Sequence, residues 1–135
     1  MHNIRDIDAR SIAAIHEMNE GALPHVNSVT REYFRDQIDN DSYFRAVYRD
    51  GRPAAFLLAM PETADYDSLN FLWFRERYPR FVYVDRIVVG EDHRRAGFGQ
   101  ALYADLLAWA EGRTPRLACE VNTRPANEPS MRFHR

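Results

Sequence analysis

Residues 94–100 read Arg94-Arg95-Ala96-Gly97-Phe98-Gly99-Gln100, between an apolar strand segment at 81–89 and an amphipathic helical segment that ends at Gly112. A strand that passes into a helix through such a turn directs several backbone N–H groups at one spot. The first N–H groups of a helix lack internal partners, and the helix dipole adds partial positive charge there. The combination binds anions, with phosphate the usual occupant. Lacking a Cβ, Gly97 and Gly99 permit positive φ and a close approach of backbone to phosphate. Arg94 and Arg95 would attract the same phosphate, or are solvated charges. A turn that merely joins strand to helix is the competing reading.

The elements around this turn follow from spacing. Residues 3–7 suit a short first strand. Asp8 or Ser11 can cap a helix with Ile12, Ile15 and Met18 at helical spacing, and Gly21 ends it. After a connection holding Pro24 and His25, Ser28 or Thr30 opens a second helix, with Phe34 and Ile38 on its buried side. Residues 43–49 and 53–60 predict two antiparallel strands, because Asp50-Gly51 between them is a hairpin signal. The second is apolar without alternation and should be buried on both faces. Residues 61–68 are polar and turn-rich, and 69–78 form a short helix or compact loop. The strand at 81–89, the turn, and a helix with Phe98, Leu102, Leu106 and Trp109 on one face come next. A strand at 116–121, a loop, and a helix capped by Asn127 complete the chain.

The 135 residues suit one domain with a full hydrophobic core; 45% are apolar and 28% charged, an ordinary globular composition. A net charge of -2 with no dominant basic face argues against nucleic acid as the main partner. The lone Cys119 rules out an internal disulfide framework, fits a reducing compartment, and reads as a small buried strand residue. Neither a signal-peptide core nor a run of membrane-spanning length is present in the sequence, so a cytoplasmic protein without a membrane partner is expected. The five histidines and the carboxylates show no metal-ligand spacing, so no metal is expected.

Arg94-x-x-Gly97-x-Gly99 after an apolar strand with Ile87 and Val89 resembles the coenzyme A motif of the GNAT N-acetyltransferases. Cys119-Glu120-Val121-Asn122, followed by Asn127-x-x-Ser130-x-x-Phe133-His134, is similar to the next strand and helix of that family. The resemblance covers nearly the whole chain and implies an α/β (α+β) fold. Its central mixed, mostly antiparallel sheet is flanked by helices in the order β-α-α-β-β-β-α-β-α. It implies a single domain over residues 1–135 that lacks the two C-terminal strands with which family members continue. A partner chain, as in a homodimer, would otherwise cover the open edge of the strand at 116–121.

The resemblance further implies acetyl-CoA, with its pyrophosphate on the backbone N–H groups of Arg95, Ala96, Gly97, Phe98, Gly99 and Gln100. The backbone of Ile87, Val88 and Val89 would carry the pantetheine arm and thioester carbonyl, and Asn127 and Ser130 would contact the arm. An N–H against the thioester oxygen would stabilise the tetrahedral oxyanion. An acceptor amine of the lysine type has a pKa of about 10.4 and arrives protonated, so a base is needed. Glu120 is the first candidate, at the strand position that similar ribosomal-protein N-acetyltransferases use; a strand glutamate facing outward or in an ion pair is the alternative. Asp85 is the second candidate, with an ion pair to a neighbouring arginine as its competing reading. His134 stands where the family usually has the tyrosine that protonates the thiolate, and imidazole can do the same near neutral pH. Tyr83 and Tyr103 are alternative hydroxyl donors or packing aromatics.

By the same resemblance, acceptor specificity lies in residues 19–27 and 63–78. Asp65 and Asp67 would suit a cationic amine, and Tyr66, Trp73 and Phe74 would supply apolar or cation–π walls; a solvated turn beside core aromatics is the alternative. The expected activity is transfer of an acetyl group to a small-molecule or peptide amine by direct attack in a ternary complex. A CoA- or acyl-CoA-binding sensor on the same fold, without transfer, is the rival.

Overall fold

A ten-residue strand, Arg52–Pro61, is the slab on which both halves of the core are built. The computed structural model describes residues 3–39, 42–64, 69–78, 81–90, 96–111 and 117–119. The elements are β1 (Asn3–Asp6), a 3-10 turn (Ala9–Ser11), α1 (Ile12–Gly21), α2 (Arg31–Asp39), β2 (Tyr43–Arg49) and β3 (Arg52–Pro61). These are followed by α3 (Leu69–Arg77), β4 (Val82–Val89), α4 (Phe98–Ala110) and β5 (Leu117–Cys119). The sheet runs β1-β2-β3-β4-β5 in space; the first four strands are antiparallel and β5 is parallel to β4. The expected mixed, mostly antiparallel sheet is therefore present, and the segment after β3 is a helix. The element order thus gains α3 before the central strand.

Local chemistry accounts for the element ends. Asp8 accepts a hydrogen bond from the Arg10 N–H at 3.0 Å and starts the turn into α1, while Ser11 makes no capping bond. Thr30 Oγ1 accepts from the Tyr33 N–H at 3.1 Å and caps α2. Asp50 and Gly51 have φ of 54° and 77°, the paired left-handed conformations of a tight hairpin turn, and Arg49 faces Arg52 across it.

β3 is buried from Ala54 to Met60, as its unbroken apolar run predicts, because helices cover both faces of the sheet. On one face Phe44, Phe56, Leu58, Met60 and Tyr83 meet Ile12 and Ile15 of α1, Phe34 of α2 and Phe71 of α3. On the other, Val47, Ala55, Leu57, Ala59, Val82 and Val84 meet Phe98, Leu102, Leu106 and Ala110 of α4. Alternation along β3 and β4 assigns the side chains to these faces. It is broken twice, where the pairing register shifts opposite Ala54 and opposite Asp85.

Polar contacts at the margin fix α4 against β2. The Tyr43 hydroxyl and Arg45 Nη1 each donate to Asp105 Oδ2 at 2.7 Å, and Arg45 Nε donates to Asp6 at 3.0 Å. Burial pulls the Arg45 guanidinium down, but the Asp105 and Asp6 carboxylates outweigh it and the net shift is upward. Burial, and then the hydrogen bond to Asp105, push the Tyr43 phenol well above its ordinary value. A folded-state value above the unfolded one means that the contribution of the neutral phenol is complete below about pH 10 and is lost as pH rises beyond it. Urea denaturation should therefore show stability falling more steeply above pH 10 in the parent protein than in Tyr43→Phe; parallel profiles would contradict this. Asp105→Ala removes the acceptor shared by both donors and should lower stability by about 1–3 kcal/mol at neutral pH.

Candidate active site

Neighbouring residues in a strand point to opposite faces, yet the side chains of Asp85 and Arg86 touch. Leu58 pairs with Arg86 and Ala59 with Val84, so Asp85 is an extra residue in β4. Such a bulge rotates the strand by one position and turns both side chains to the face that carries α1 and α2. There Arg86 Nε donates to Asp85 Oδ2 at 2.7 Å, the two side chains being 3% and 0% exposed. The Tyr33 hydroxyl donates to the same oxygen at 2.8 Å, and the guanidinium lies 5.4 Å from the centre of the Tyr33 ring. Arg86 Nη1 donates to Asn19 Oδ1 at 3.0 Å and to the Asn27 carbonyl at 3.1 Å, and Nη2 donates to Asn27 Oδ1 at 2.7 Å. A buried ion pair persists only when such bonds offset its desolvation. Asp85 thus has the neighbouring-arginine contact foreseen as its competing role.

C-terminal to the bulge, Ile87 and Val89 face the α4 layer and Val88 the opposite one. This stretch pairs with Leu57, Phe56 and Ala55 of β3. On its other edge β4 pairs with β5 at Val82–Leu117, Tyr83–Ala118 and Val84–Cys119, all N-terminal to the bulge.

At the start of α4, Gly97 is the N-cap residue in the left-handed conformation, φ 80° and ψ 12°, and among the described residues no side-chain capping bond is made. At this turn the Ala101 N–H donates to the Gly97 carbonyl at 3.0 Å, which opens the helical hydrogen bonding. Ala96, Gly97 and Gln100 are exposed, while Phe98 is buried and anchors the turn to the sheet. A Cβ on Gly97 would enter open space, and one on Gly99 would lie 3.9 Å from Ile87 Cδ1 and from Val89 Cγ2. Packing within the chain therefore tolerates a methyl group at Gly99. The N-terminus of α4 and the Ile87–Val89 segment lie against each other at Gly99.

The connection from α1 to α2 is tied to the bulge through Asn19 and Asn27 and closed by a second clasp. Asn19 Nδ2 donates to Glu20 Oε2 at 2.9 Å and to the Asn27 carbonyl at 3.2 Å, and the Ser28 hydroxyl donates to Glu20 Oε1. These bonds, led by that of Ser28, lower the Glu20 pKa. His16 Nε2–H donates to the Val29 carbonyl at 2.8 Å. On α3, Trp73 is half-exposed with the Arg77 guanidinium 4.0 Å from its ring centre, so an internal cation already lies over the indole. Phe74 packs among Trp73, Tyr78, Phe81 and Tyr83.

Of the residues singled out in the sequence, Ile87, Val88, Val89, Ala96, Gly97, Phe98, Gly99 and Gln100 belong to the end of β4 and the start of α4, while Asp85 lies on the opposite face with Tyr33. Trp73 and Phe74 lie apart on α3, and Tyr83 and Tyr103 are buried in the two core layers. Arg94, Arg95, Asp65, Tyr66, Asp67, Glu120, Asn127, Ser130 and His134 lie outside the described residues. Sequence reasoning did not single out Arg86 or Tyr33, and it included Asn19 and Asn27 only as the ends of the segment 19–27. The available signal was Asp85-Arg86 itself, two adjacent charges inside an apolar strand, which alternation cannot accommodate without a bulge.

Comparison with known proteins accords with this geometry. The family model described as Acetyltransferase (GNAT) family matches residues 12–135. No curated protein sequence matches the chain. Among solved structures, the ribosomal-protein-S18-alanine N-acetyltransferase from Escherichia coli is 19% identical with a TM-score of 0.70, covering 98% of this chain and 74% of that one. The aminoglycoside 6'-N-acetyltransferase AAC(6')-IG from Acinetobacter haemolyticus is 16% identical with a TM-score of 0.72, covering 96% and 86%. AAC(6')-Iy, solved in complex with CoA, is 16% identical with a TM-score of 0.72, covering 99% and 84%. At these identities the structures establish the fold, and the family match covers nearly the whole chain. The chain belongs to the GNAT acetyltransferase family, whose members take their acetyl group from acetyl-CoA.

Proposed function

We propose that the protein is an N-acetyltransferase that passes the acetyl group of acetyl-CoA to a primary amine by direct attack in a ternary complex. The observation that carries this reading is the start of α4, where no side-chain capping bond is made among the described residues. Gly97 holds a left-handed turn there, and Gly99 two residues on lies against Ile87 and Val89. The N–H groups of residues 95–100 bind the pyrophosphate, aided by the helix dipole and by Arg94 and Arg95. The backbone of Ile87, Val88 and Val89 holds the pantetheine arm, and Asn127 and Ser130 add contacts to it. The bound thioester supplies an activated acyl group. Glu120 takes the proton from the ammonium form of the acceptor, and the neutral amine attacks the thioester carbonyl. The adduct nitrogen loses its second proton to water as the C–S bond breaks, and His134 gives a proton to the departing thiolate, so the products are an acetamide and free CoA.

Asp85 is bonded by Tyr33 and Arg86 and enclosed by protein, which supports a positioning role rather than direct proton removal. Residues 63–78 flank the acceptor. Asp65 and Asp67 attract its positive charge, Tyr66 and the half-exposed Trp73 form apolar walls, and Phe74 packs behind Trp73. Two of the structural neighbours are named for acetylating a ribosomal-protein alanine and an aminoglycoside, and both of these substrates offer amines. They define a panel of an alanine-starting hexapeptide, kanamycin and spermidine.

Incubation of the protein with acetyl-CoA and each amine, followed by free-thiol release, tests the reading. Turnover with at least one amine is expected, and Glu120→Gln should lower kcat by about 100-fold or more. Tight CoA binding without thiol release from any amine would instead indicate a sensor.

A separate pair of substitutions tests the donor site. Gly97→Ala must hold an alanine at φ 80°, which should cost about 1–2 kcal/mol of stability. Gly99→Ala meets only ordinary contacts at 3.9 Å and should leave stability within about 1 kcal/mol, in the favourable direction. If the backbone at Gly99 approaches phosphate, calorimetry should nevertheless show CoA binding weakened about tenfold or more by this stable variant. Unchanged affinity would place the pyrophosphate elsewhere.

A further inference from the structure

Arg86 belongs to the strand of the donor site, yet three of the hydrogen bonds it donates reach the acceptor side. Asn19 is in the last turn of α1, Asn27 is in the connection that follows, and both are held by one guanidinium. Tyr33, in the first turn of α2, closes on Asp85 from the other side. The end of α1, the connection and the first turn of α2 therefore converge on the two bulge residues. The next residue along the strand is Ile87, where the backbone assigned to the pantetheine arm begins.

We infer that Arg86 is a positioning residue for the acceptor. By clamping Asn19 and Asn27 to the bulge of β4, it sets the spacing between the α1–α2 connection and the Ile87–Val89 backbone. This inference rests on the proposed acetyltransferase reading and extends it to acceptor positioning. The geometry of arginine suits the task. A planar guanidinium offers donors in fixed directions, and here one edge meets a carboxylate while the other meets an amide oxygen and a main-chain carbonyl. A lysine at this position would keep the charge beside Asp85, but a single ammonium cannot reproduce the fork. Much of the connection is exposed, Asn27 included, so few apolar contacts hold its register. The clasp of Glu20 with Ser28 and Asn19 closes the connection on itself and on the end of α1. The Arg86 clamp ties it to the sheet. Asp85 completes the device by holding the guanidinium in place, with Tyr33 keeping the carboxylate oriented. A displacement of about 1 Å between reacting groups can cost about 100-fold in rate, so a clamp on the acceptor flank bears directly on catalysis.

The test compares Arg86→Lys, Asn27→Ala and Asn27→Asp with the unaltered protein, using the best acceptor among the hexapeptide, kanamycin and spermidine. Arg86→Lys should raise the KM for the amine by about tenfold while the KM for acetyl-CoA stays within about twofold. Asn27→Ala removes one acceptor of the clamp from an exposed residue and should raise the amine KM by about threefold or more. Asn27→Asp restores an oxygen facing the guanidinium and should return the amine KM to within about twofold of the parent. Should Arg86→Lys fail to fold, the Asn27 pair decides alone. A purely structural role would instead reduce the active fraction, lowering kcat for both substrates with both KM values unmoved. That result overturns the clamp, as does an amine KM within twofold of the parent in Asn27→Ala. Absence of turnover by the unaltered protein with every amine overturns the acetyltransferase reading and the clamp together. Normal turnover by the parent with unmoved KM values in the variants overturns the clamp alone.

Discussion

One extra residue in β4 organises this molecule. Without the register shift at Asp85, Asp85 and Arg86 would point to opposite faces of the sheet, and one charge would enter the apolar layer under α4. The shift brings both to the α1–α2 face, where each neutralises the other and each finds further partners. It also resets the alternation for the remainder of the strand. Ile87 and Val89 consequently lie beneath the start of α4, within contact distance of a methyl group on Gly99, while Val88 joins the other layer. The β4–α4 junction and the anchoring of the α1–α2 connection thus depend on one irregularity between paired strands.

Elements whose residues carry a local signal were legible in the sequence. Asp50-Gly51 marked a hairpin because only residues tolerant of positive φ can make a two-residue turn, and both angles are positive. The unbroken apolar run of β3 marked a strand covered on both sides, and α1, α2 and α4 followed from helical spacing. The cap residues were narrowed to two choices each, and hydrogen bonds select Asp8 and Thr30. The segment 69–77 stayed ambiguous because Phe71, Trp73 and Phe74 do not form one apolar stripe. It is a helix that buries Phe71 and leaves Trp73 partly exposed beside Leu69.

The candidate site was legible to the extent that its chemistry resides in a motif. Gly97 was singled out for a positive φ, and it has one. Gly99 was assigned the same freedom, but its φ is not positive, and a Cβ there would meet Ile87 and Val89 at 3.9 Å, an ordinary contact. The Arg86 clamp was invisible for a different reason. Asn19, Asn27 and Tyr33 are ordinary polar or aromatic residues of two helices and a connection, and they acquire meaning only when the chain brings them to β4 from more than fifty residues away.

A buried ion pair is a weak source of stability, since well-packed apolar residues of similar volume often do as well. Stability alone therefore gives little reason for Asp-Arg in the middle of a strand whose other residues are apolar. Geometry gives a stronger one. An apolar pair could fill the same volume, but it could not hold the Asn27 carbonyl, the Asn27 amide and the Asn19 amide at fixed positions. Hydrophobic contact is non-directional and would allow the connection to slide, whereas a guanidinium defines directions as well as distances. The bulge and its ion pair are best understood as a device for registering the α1–α2 connection against β4. The desolvation cost of the pair is offset by bonds that perform this alignment.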